Sequence, residues 1–339
     1  MAASAPVAVE TTTIITSVDA KNETPAIMAP SPAAVFQPGK LAVEVIKVDH
    51  ELEPRPPIPI LIVSPKDAGT YPVAILLHGF FLQNSFYKGL LTHLASHGFI
   101  MVAPQFHLNL ISTSDTDDIA AAANVVAWLP AALPTVLPAG VEPDLTKLAL
   151  SGHSRGGHTA FALALGHAQG AGGDKNLPFS ALVGLDPVAG KSKSWQLPPK
   201  ILTFEDSSME FAGGGMPVMV IGTGLGEEAK NFFCPPCAPR DVSHEEFYRE
   251  CRAPCYHVVA KEYGHLDMLD DDAPALVTCL CKDGGCKEKM RRTVGGVMVA
   301  FFRAALNGED ADLVAIVKDH SAASGIAPIT LDPVECRLA

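Results

Sequence analysis

The sequence predicts an α/β fold in which helices cover both faces of a mostly parallel, eight-stranded sheet. Short apolar runs alternate with longer helical or irregular stretches from Leu41 onward. Six of these runs are continuously apolar, which is typical of strands buried on both faces of a parallel sheet. At 339 residues, with 48% hydrophobic and 18% charged residues, the chain is predicted to be a folded globule with one large core.

The strands are predicted from these runs in chain order. Leu41, Val43 and Val45 alternate with other residues, as in a half-buried strand, and a second strand at residues 58–63 follows a proline-rich turn. We expect these two strands to be antiparallel and peripheral. The six central strands are predicted at residues 73–77, 100–103, 148–150, 181–185, 218–221 and 257–260, and the helices at residues 87–97, 119–129, 157–167 and 287–306.

Residues 119–141 form an uncharged run that is long enough for a transmembrane helix. Pro130, Pro134 and Pro138 recur in its second half, and each would remove a helical hydrogen bond. We therefore predict no transmembrane helix, but a buried helix at residues 119–129 followed by a loop.

The sequence predicts one domain preceded by an N-terminal tail. Residues 1–37 are predicted to be a flexible tail, and residues 38–339 a single domain with a cysteine-rich insertion at about 227–255. The tail lacks a basic segment followed by an apolar one and contains no arginine, which argues against a secretory signal and against a transit peptide.

The net charge of the chain limits the classes of partner that it can bind. Lys+Arg 25 against Asp+Glu 37 gives a formal net charge of −12, and a surface of that sign repels phosphate backbones and anionic lipid headgroups. We expect no nucleic-acid partner.

One motif carries the candidate chemistry. Gly152-His153-Ser154-Arg155-Gly156 matches G-x-S-x-G and lies between a predicted strand and a predicted helix. This context places a nucleophilic serine at the carboxyl edge of an α/β-hydrolase sheet, and glycine flanks it because larger side chains would collide with neighbouring elements. Ser154 is the predicted nucleophile, and it requires a histidine base and an acid.

The base in this fold follows the last strand, which selects His265 after the strand at residues 257–260. His244 is its rival, in a charged stretch typical of a solvated face. His153, His158 and His167 are interpreted as core or helix-surface residues.

Two carboxylates compete for the acid. Asp186 directly follows the strand at residues 181–185, so its carboxylate is expected at the same edge as Ser154, one strand earlier than is commonest in the fold. Glu227 follows the next strand in a glycine-rich loop. We favour Asp186 because a residue at a strand end is held more rigidly.

Acyl transfer also needs donors for the developing oxyanion. We predict the backbone N–H groups of Arg155, directly after the nucleophile, and of Phe80, in the loop that begins His78-Gly79. His78 is interpreted as a side chain that braces this loop.

Three segments together resemble plant chlorophyllases: GHSRGGHTAF at residues 152–161, GLDPV at residues 184–188 and GHLDMLD at residues 264–270. The resemblance covers most of the chain from about Leu41 to the C-terminus. It implies that Ser154, Asp186 and His265 form a catalytic triad in an α/β-hydrolase fold. It also implies hydrolysis of the phytyl ester of chlorophyll to chlorophyllide and phytol through an acyl-enzyme, without a cofactor of the protein's own.

Apolar residues follow the strands at the expected catalytic edge. Phe81, Phe86, Phe106 and Leu108 are predicted to bind a tetrapyrrole or an isoprenoid chain, and the same residues would also suit a core. No spacing indicates a metal site. We expect chlorophyll or a related phytyl ester as the small-molecule partner, peripheral association with pigment-bearing membranes, and a location in the chloroplast or the endomembranes of a plant cell.

Other functions fit parts of this pattern. A general carboxylesterase or lipase would carry the same triad, and a non-catalytic hydrolase-fold protein could hold a pigment or lipid without turning it over. A zinc-dependent interaction module ranks last.

All eight cysteines lie after Phe233. Cys234, Cys237, Cys251 and Cys255 loosely resemble a zinc ribbon, but the second pair has three intervening residues. Disulfides that tie down the insertion are favoured, with the pairing left open.

Overall fold

The computed structural model describes residues 32–49, 51, 53–106, 115–168, 179–211, 214–318 and 326–338. These residues lie in one compact unit, Ser31–Ala339. Its packing includes a short 3₁₀ helix, Pro32–Phe36, on which Val35 and Phe36 are buried. Core packing therefore already involves residues just ahead of the predicted domain start at residue 38.

The strands are β1 (Val43–Val48), β2 (Ile60–Pro65), β3 (Gly69–Leu77), β4 (Ile100–Pro104), β5 (Val141–His153), β6 (Phe179–Leu185), β7 (Gly190–Ser192), β8 (Trp195–Gln196), β9 (Val218–Thr223), β10 (Cys255–Ala260) and β11 (Leu331–Arg337). Within the described residues, nine of them form one sheet in the spatial order β1-β2-β4-β3-β5-β6-β9-β10-β11. Strands β4, β3, β5, β6, β9 and β10 pair in parallel in this spatial order, while β1, β2 and β11 pair antiparallel to their neighbours. The predicted mostly parallel sheet with antiparallel early strands is confirmed.

Strand β11 was not predicted. It lies at the sheet edge and contains Pro333. It also carries the charged residues Asp332, Glu335 and Arg337, and most of its side chains are at least partly exposed to solvent. An edge strand of this kind lacks the continuous apolar run from which the eight strands were inferred.

The helices are α1 (Lys88–Ser96), α2 (Asp115–Val136), α3 (Arg155–Ala164), α4 (His244–Glu250), α5 (Ala275–Thr278), α6 (Lys287–Phe302) and α7 (Ala311–Lys318). Helices α1 and α6 pack on one face of the sheet, where Leu94 and Phe302 contact the same core cluster as Leu76. Helices α2 and α3 cover the other face with Leu129 and Phe161. Two cores on opposite faces explain why the central strands are apolar on both sides.

The predicted loop after residue 129 is wrong, because helix α2 continues to Val136 with Pro130 and Pro134 inside it. Both prolines lie on the exposed side of the helix, while Ala132 and Leu133 are buried against the core. Packing of this apolar face outweighs the lost hydrogen bonds, whose carbonyl partners water can solvate. By length and composition α2 could cross a membrane, but half of its apolar window is buried, as in a core helix.

Candidate active site

The nucleophile candidate lies at a sharp turn between β5 and α3. Ser154 has φ of 56° and ψ of −124°, a region that non-glycine residues rarely occupy. Its N–H donates to the carbonyl oxygen of Leu185 at 3.0 Å, which ties the turn to the end of neighbouring β6. The serine is therefore held at the carboxyl edge of the sheet by hydrogen bonding as well as by the turn.

Packing explains both glycines of the motif. A Cβ atom at Gly152 would lie 2.0 Å from the carbonyl oxygen of Gly156, and one at Gly156 would lie 2.3 Å from the carbonyl oxygen of Leu77. Backbone atoms cannot yield by such a distance, so the turn requires glycine at both positions.

The acid and base candidates meet at the same edge. Asp186 follows the last residue of β6, and its Oδ2 lies 2.7 Å from Nδ1 of His265. Thr223, at the end of β9, donates to the same carboxylate through its hydroxyl group at 2.6 Å and through its N–H at 3.2 Å. Burial alone would raise the pKa of Asp186, but the hydrogen bonds from His265 and Thr223 outweigh it and lower the pKa below 3.8. The ionised carboxylate can thus accept a hydrogen bond from the N–H group at Nδ1 of His265.

The rival residues have other partners. Nδ1 of His244 lies 2.9 Å from Nε2 of His257. The carboxylate of Glu227 lies 3.6 Å from the guanidinium of Arg240, and burial raises the pKa of Glu227. The structure therefore brings Asp186, rather than Glu227, to His265.

The loop that carries His265 is fastened by Asp267, which was not predicted as a site residue. The carboxylate of Asp267 accepts hydrogen bonds from the N–H groups of Gly264 and Gly284, both at 2.7 Å. A Cβ atom at Gly264 would lie 1.8 Å from the carbonyl oxygen of Lys282. The two chain segments on either side of Asp267 therefore lie in direct contact.

The oxyanion-loop candidates also lie against the nucleophile. A Cβ atom at Gly79 would be 3.0 Å from Cβ of Ser154. Nδ1 of His78 donates to the carbonyl oxygen of Gly79 at 2.8 Å, while its Nε2 accepts from the N–H of Phe106 at 2.9 Å. Burial lowers the pKa of His78 to about 4, so the ring is neutral and can serve both partners. His78 thereby fixes one side of the peptide group that carries the Phe80 N–H, in line with its interpretation as a bracing residue.

Arg155 directs its side chain towards helix α2. Its guanidinium pairs with Asp115 and Asp118, and it lies 5.6 Å from the centroid of the Phe80 ring. Burial raises the pKa of Asp115 to about 6. The side chain is thus occupied by ion pairs, while the backbone N–H of Arg155 follows directly after the nucleophile.

A cavity of about 580 Å³ opens over these residues. Ser154 and His265 lie on its wall, and most of the remaining lining is apolar. Among the described residues the lining includes Phe80, Phe81, Leu82, Val188, Leu197, Leu266, Val277 and Leu280. A volume in the usual range for ligand sites, with few polar groups, suits a bulky apolar substrate.

The four predicted substrate-binding residues have different positions. Phe81 lines the cavity and is partly exposed. Phe86 and Phe106 are buried in the two cores, and Phe106 packs against the ring of His78. Phe86 lies in the short 3₁₀ turn Asn84–Tyr87, and the N–H of Phe106 is held by His78, so both side chains pack into a core rather than line the cavity. Leu108 lies outside the described residues.

One disulfide borders the cavity. Cys237, between β9 and β10, is bonded to Cys281, with 5.7 Å between their Cα atoms, and both residues line the cavity. The other six cysteines are free thiols. The predicted use of cysteine to fasten the insertion is confirmed for this pair. Within the described part of the chain, no group of three His, Cys, Asp or Glu residues is arranged to hold a metal ion.

The sheet order, the turn at Ser154 and the contact between Asp186 and His265 define the class of protein, an α/β-hydrolase with serine, aspartate and histidine at the carboxyl edge of its sheet. The model of the chlorophyllase family matches residues 31–338. The chain belongs to the chlorophyllase family and is a carboxylic ester hydrolase.

Individual relatives agree with this assignment. Chlorophyllase-2 of Arabidopsis thaliana is 48% identical over 267 residues, which cover 78% of this chain and 82% of the relative. Chlorophyllase-1 of the same plant is 46% identical over 307 residues, or 88% and 91% of the two chains. The chloroplastic chlorophyllase-1 of Citrus unshiu is 43% identical over 289 residues, or 83% and 82%.

Proposed function

We propose that this protein is a serine esterase that hydrolyses the phytyl ester of chlorophyll to chlorophyllide and phytol, through an acyl-enzyme on Ser154. Family membership supports the reaction. The observation that carries the mechanism is the 2.7 Å contact between Asp186 and Nδ1 of His265, beside a cavity whose wall holds both His265 and Ser154.

The contact with Asp186 sets the tautomer of His265. Because the carboxylate accepts from Nδ1–H, Nε2 is left as the basic nitrogen. Nε2 takes the hydroxyl proton of Ser154 as Oγ attacks the carbonyl carbon of the ester. The tetrahedral oxyanion accepts hydrogen bonds from the backbone N–H groups of Phe80 and Arg155.

The intermediate then collapses. The bond to the phytol oxygen breaks, and the imidazolium of His265 gives its proton to that oxygen, so neutral phytol leaves. Water next attacks the acyl-enzyme while His265 takes its proton, and the same proton returns to Oγ of Ser154 when chlorophyllide is released. Asp186 stays ionised throughout and stabilises the transient imidazolium.

The apolar lining supports a bulky ester as substrate. Phe81, Leu197 and Leu280 line the cavity beside the nucleophile, and such side chains gain free energy by covering a tetrapyrrole or an isoprenoid chain. We assign substrate contact to these lining residues, with Phe81 retained from the sequence prediction.

Product analysis tests this function. Purified protein and Ser154→Ala are incubated with chlorophyll in detergent, and chlorophyllide and phytol are quantified. We expect stoichiometric products from the wild-type protein and none above background from Ser154→Ala. Hydrolysis of short soluble esters without chlorophyllide would indicate a general carboxylesterase. Absence of organophosphonate labelling at Ser154 would indicate a non-catalytic binder.

Peripheral membrane association and a chloroplast location form part of the proposal. The Citrus relatives are named chloroplastic, and a phytyl ester partitions into bilayers. Phe232 and Phe233 are 95% and 87% exposed and precede Cys237 of the cavity wall by a few residues. Adjacent exposed aromatic rings favour insertion at a lipid interface.

Vesicle flotation tests the membrane contact. We expect the protein to float with neutral phosphatidylcholine vesicles, since its net charge of −12 disfavours anionic lipids. Phe232→Ser/Phe233→Ser should lose most of this binding and keep its activity on a soluble ester. The control Leu338→Ser removes another exposed apolar side chain, 67% exposed, and should bind as wild type. Equal flotation of all three proteins would show that Phe232 and Phe233 do not form the membrane contact.

A further inference from the structure

His153 precedes the nucleophile and is fully buried, yet both of its ring nitrogens have polar partners. Nδ1 lies 2.6 Å from the hydroxyl oxygen of Tyr87, and Nε2 lies 3.0 Å from the backbone carbonyl oxygen of His265. The hydroxyl oxygen of Tyr87 lies 3.3 Å from the N–H of Gly79. Four segments of the chain therefore meet through one imidazole ring and one phenol.

The chemistry of these partners sets the direction of every hydrogen bond. A backbone carbonyl oxygen only accepts, so Nε2 of His153 carries the proton that it donates to His265. Burial lowers the pKa of His153 to about 3, so the ring is neutral and Nδ1 is an acceptor. Tyr87 therefore donates its hydroxyl proton to Nδ1, and its oxygen is free to accept from the N–H of Gly79. Burial also raises the pKa of Tyr87, which keeps the phenol protonated.

The chain of bonds has one continuous direction, from Gly79 through Tyr87 and His153 to His265. Hydrogen bonds in such a series polarise one another in a buried setting. Its first member, Gly79, directly precedes Phe80, whose N–H is the proposed oxyanion donor. Its last member is the backbone of the proposed general base. The ring of His153 also contacts the ring of His265, with 4.7 Å between centroids and 36° between the ring planes.

We propose that Tyr87 and His153 are positioning residues for ester hydrolysis, which fix the distance between the oxyanion loop and the loop that carries His265. This inference depends on the proposed roles of Ser154, His265 and Phe80. Productive geometry in such sites tolerates displacements of only about 0.5 Å. A neutral His153 also leaves the imidazolium of His265 free of like-charge repulsion during turnover.

A purely structural role makes a different prediction. If the buried hydroxyl group of Tyr87 served only stability, Tyr87→Phe would lower the melting temperature and leave the turnover of folded protein unchanged. If it positions the two loops, Tyr87→Phe lowers kcat on every ester by the same factor and leaves KM nearly unchanged, because the loss falls on the transition state.

The test measures kcat, KM, the melting temperature and the rate of organophosphonate labelling for wild type and Tyr87→Phe, on chlorophyll and on a soluble p-nitrophenyl ester. Loss of a whole oxyanion donor costs ~10²–10³ in kcat, so we expect a smaller loss from misplacement, about tenfold, in kcat and in labelling alike. Ser151→Ala is the matched control, since it removes a fully buried hydroxyl group that donates to the carbonyl oxygen of Ile75 at 2.6 Å. It should lower the melting temperature without changing kcat.

Two variants of His153 provide a second series. His153→Leu removes both hydrogen bonds, while His153→Gln keeps an amide donor for the carbonyl oxygen of His265. We expect His153→Gln to recover part of the kcat that His153→Leu loses. Unchanged kcat in folded Tyr87→Phe, or equal kcat in folded His153→Leu and wild type, would overturn the positioning role. Failure of the wild-type protein to label at Ser154 would instead contradict the proposed function.

Discussion

The two sides of the cavity are held in place in different ways. On the sheet side, Asp186 is fully buried, and the turn at Ser154 is locked by glycines that touch backbone. On the opposite side, Phe81 is 37% exposed and Leu280 is 49% exposed, and the segment with Leu280 follows the single-turn helix α5. The reacting groups are thus enclosed by packing, whereas this apolar wall is open to solvent at Phe81 and Leu280.

This difference separates two kinds of mutational effect. A change on the sheet side alters the position or charge of groups that act in the transition state, so it should lower kcat. A change on the apolar wall alters the area that covers the substrate, so it should raise KM. The disulfide between Cys237 and Cys281 fastens the segment that carries Leu280 to the insertion between β9 and β10.

The largest expected effect is that of Asp186→Asn. The amide would favour the wrong tautomer of His265 and could not stabilise its imidazolium, and the same change in another triad hydrolase costs ~10⁴ in kcat. We expect a loss of that order in kcat on chlorophyll and on a soluble ester, measured by steady-state kinetics.

Glu227→Gln is the matched control for this prediction. It removes a carboxylate that pairs with Arg240 at the surface rather than with His265. Its kcat should stay within about twofold of wild type, as expected for a partly exposed ion pair. A severe loss in Glu227→Gln together with a mild one in Asp186→Asn would reverse the assignment of the acid.

The motif and chain order led to Ser154 and His265, because the carboxyl ends of neighbouring parallel strands meet at one edge. Asp186 was preferred to Glu227 on a different ground, that a strand end holds a side chain more rigidly than a glycine-rich loop. Thr223 and Asp267 were missed. Their hydrogen bonds join loops that are distant in sequence, and a threonine or aspartate near a strand end has no distinguishing pattern. Only the third segment of the family resemblance, which contains Asp267, offered a signal.

The apolar residues were harder to place than the polar ones. Phe81, Phe86 and Phe106 all follow strands at the same edge, but Phe86 and Phe106 are buried in the cores. The rotation of a loop side chain depends on tertiary packing that the sequence does not state. The same applies to Pro130 and Pro134, which helix α2 accommodates because they happen to lie on its exposed side.

The next largest effect concerns the disulfide. Reduction, or Cys237→Ser/Cys281→Ser, opens a loop of 44 residues. Loop-closure entropy predicts a loss of about 4 kcal/mol in the free energy of unfolding. We also expect lower turnover of chlorophyll, because both cysteines line the cavity. Denaturant unfolding and activity with and without a strong reductant measure the two effects.

Cys286→Ser supplies the control, because this cysteine is exposed and free. Its unfolding midpoint and its response to reductant should match those of wild type. If reductant left both unfolding and activity of wild type unchanged, the disulfide would not fasten the wall.

A smaller effect concerns the pH dependence of stability and comes from His93, a buried histidine outside the cavity. His93, on helix α1, donates from Nε2 to the carbonyl oxygen of Val35, and burial lowers its pKa from 6.5 to about 4. As the pH falls, His93 therefore becomes protonated near pH 6.5 in the unfolded chain but only near pH 4 in the folded protein. The stabilising contribution is present above pH 6.5 and is lost as the pH falls towards 4, at about 1.4 kcal/mol per pH unit.

His93→Gln keeps a donor for Val35 and does not titrate, so its free energy of unfolding should fall less steeply between pH 6.5 and pH 4. His167→Gln changes an exposed histidine and should retain the wild-type slope. Parallel slopes for wild type and His93→Gln would show that burial of this ring does not contribute to acid sensitivity.

The smallest effect we expect is on the apolar wall itself. Leu280 lines the cavity with about half of its surface exposed, so covering that exposed half by substrate is worth about 1 kcal/mol, or about fivefold in affinity. Leu280→Ser should raise KM for chlorophyll by about that factor and leave kcat on p-nitrophenyl acetate unchanged, since a short ester does not reach the wall. Leu276→Ser, in the adjacent helix α5 and 76% exposed, is the control and should change neither constant. A fall in kcat on the short ester in Leu280→Ser would mean that the wall also positions the reacting groups, and the two sides of the cavity would then not be separable.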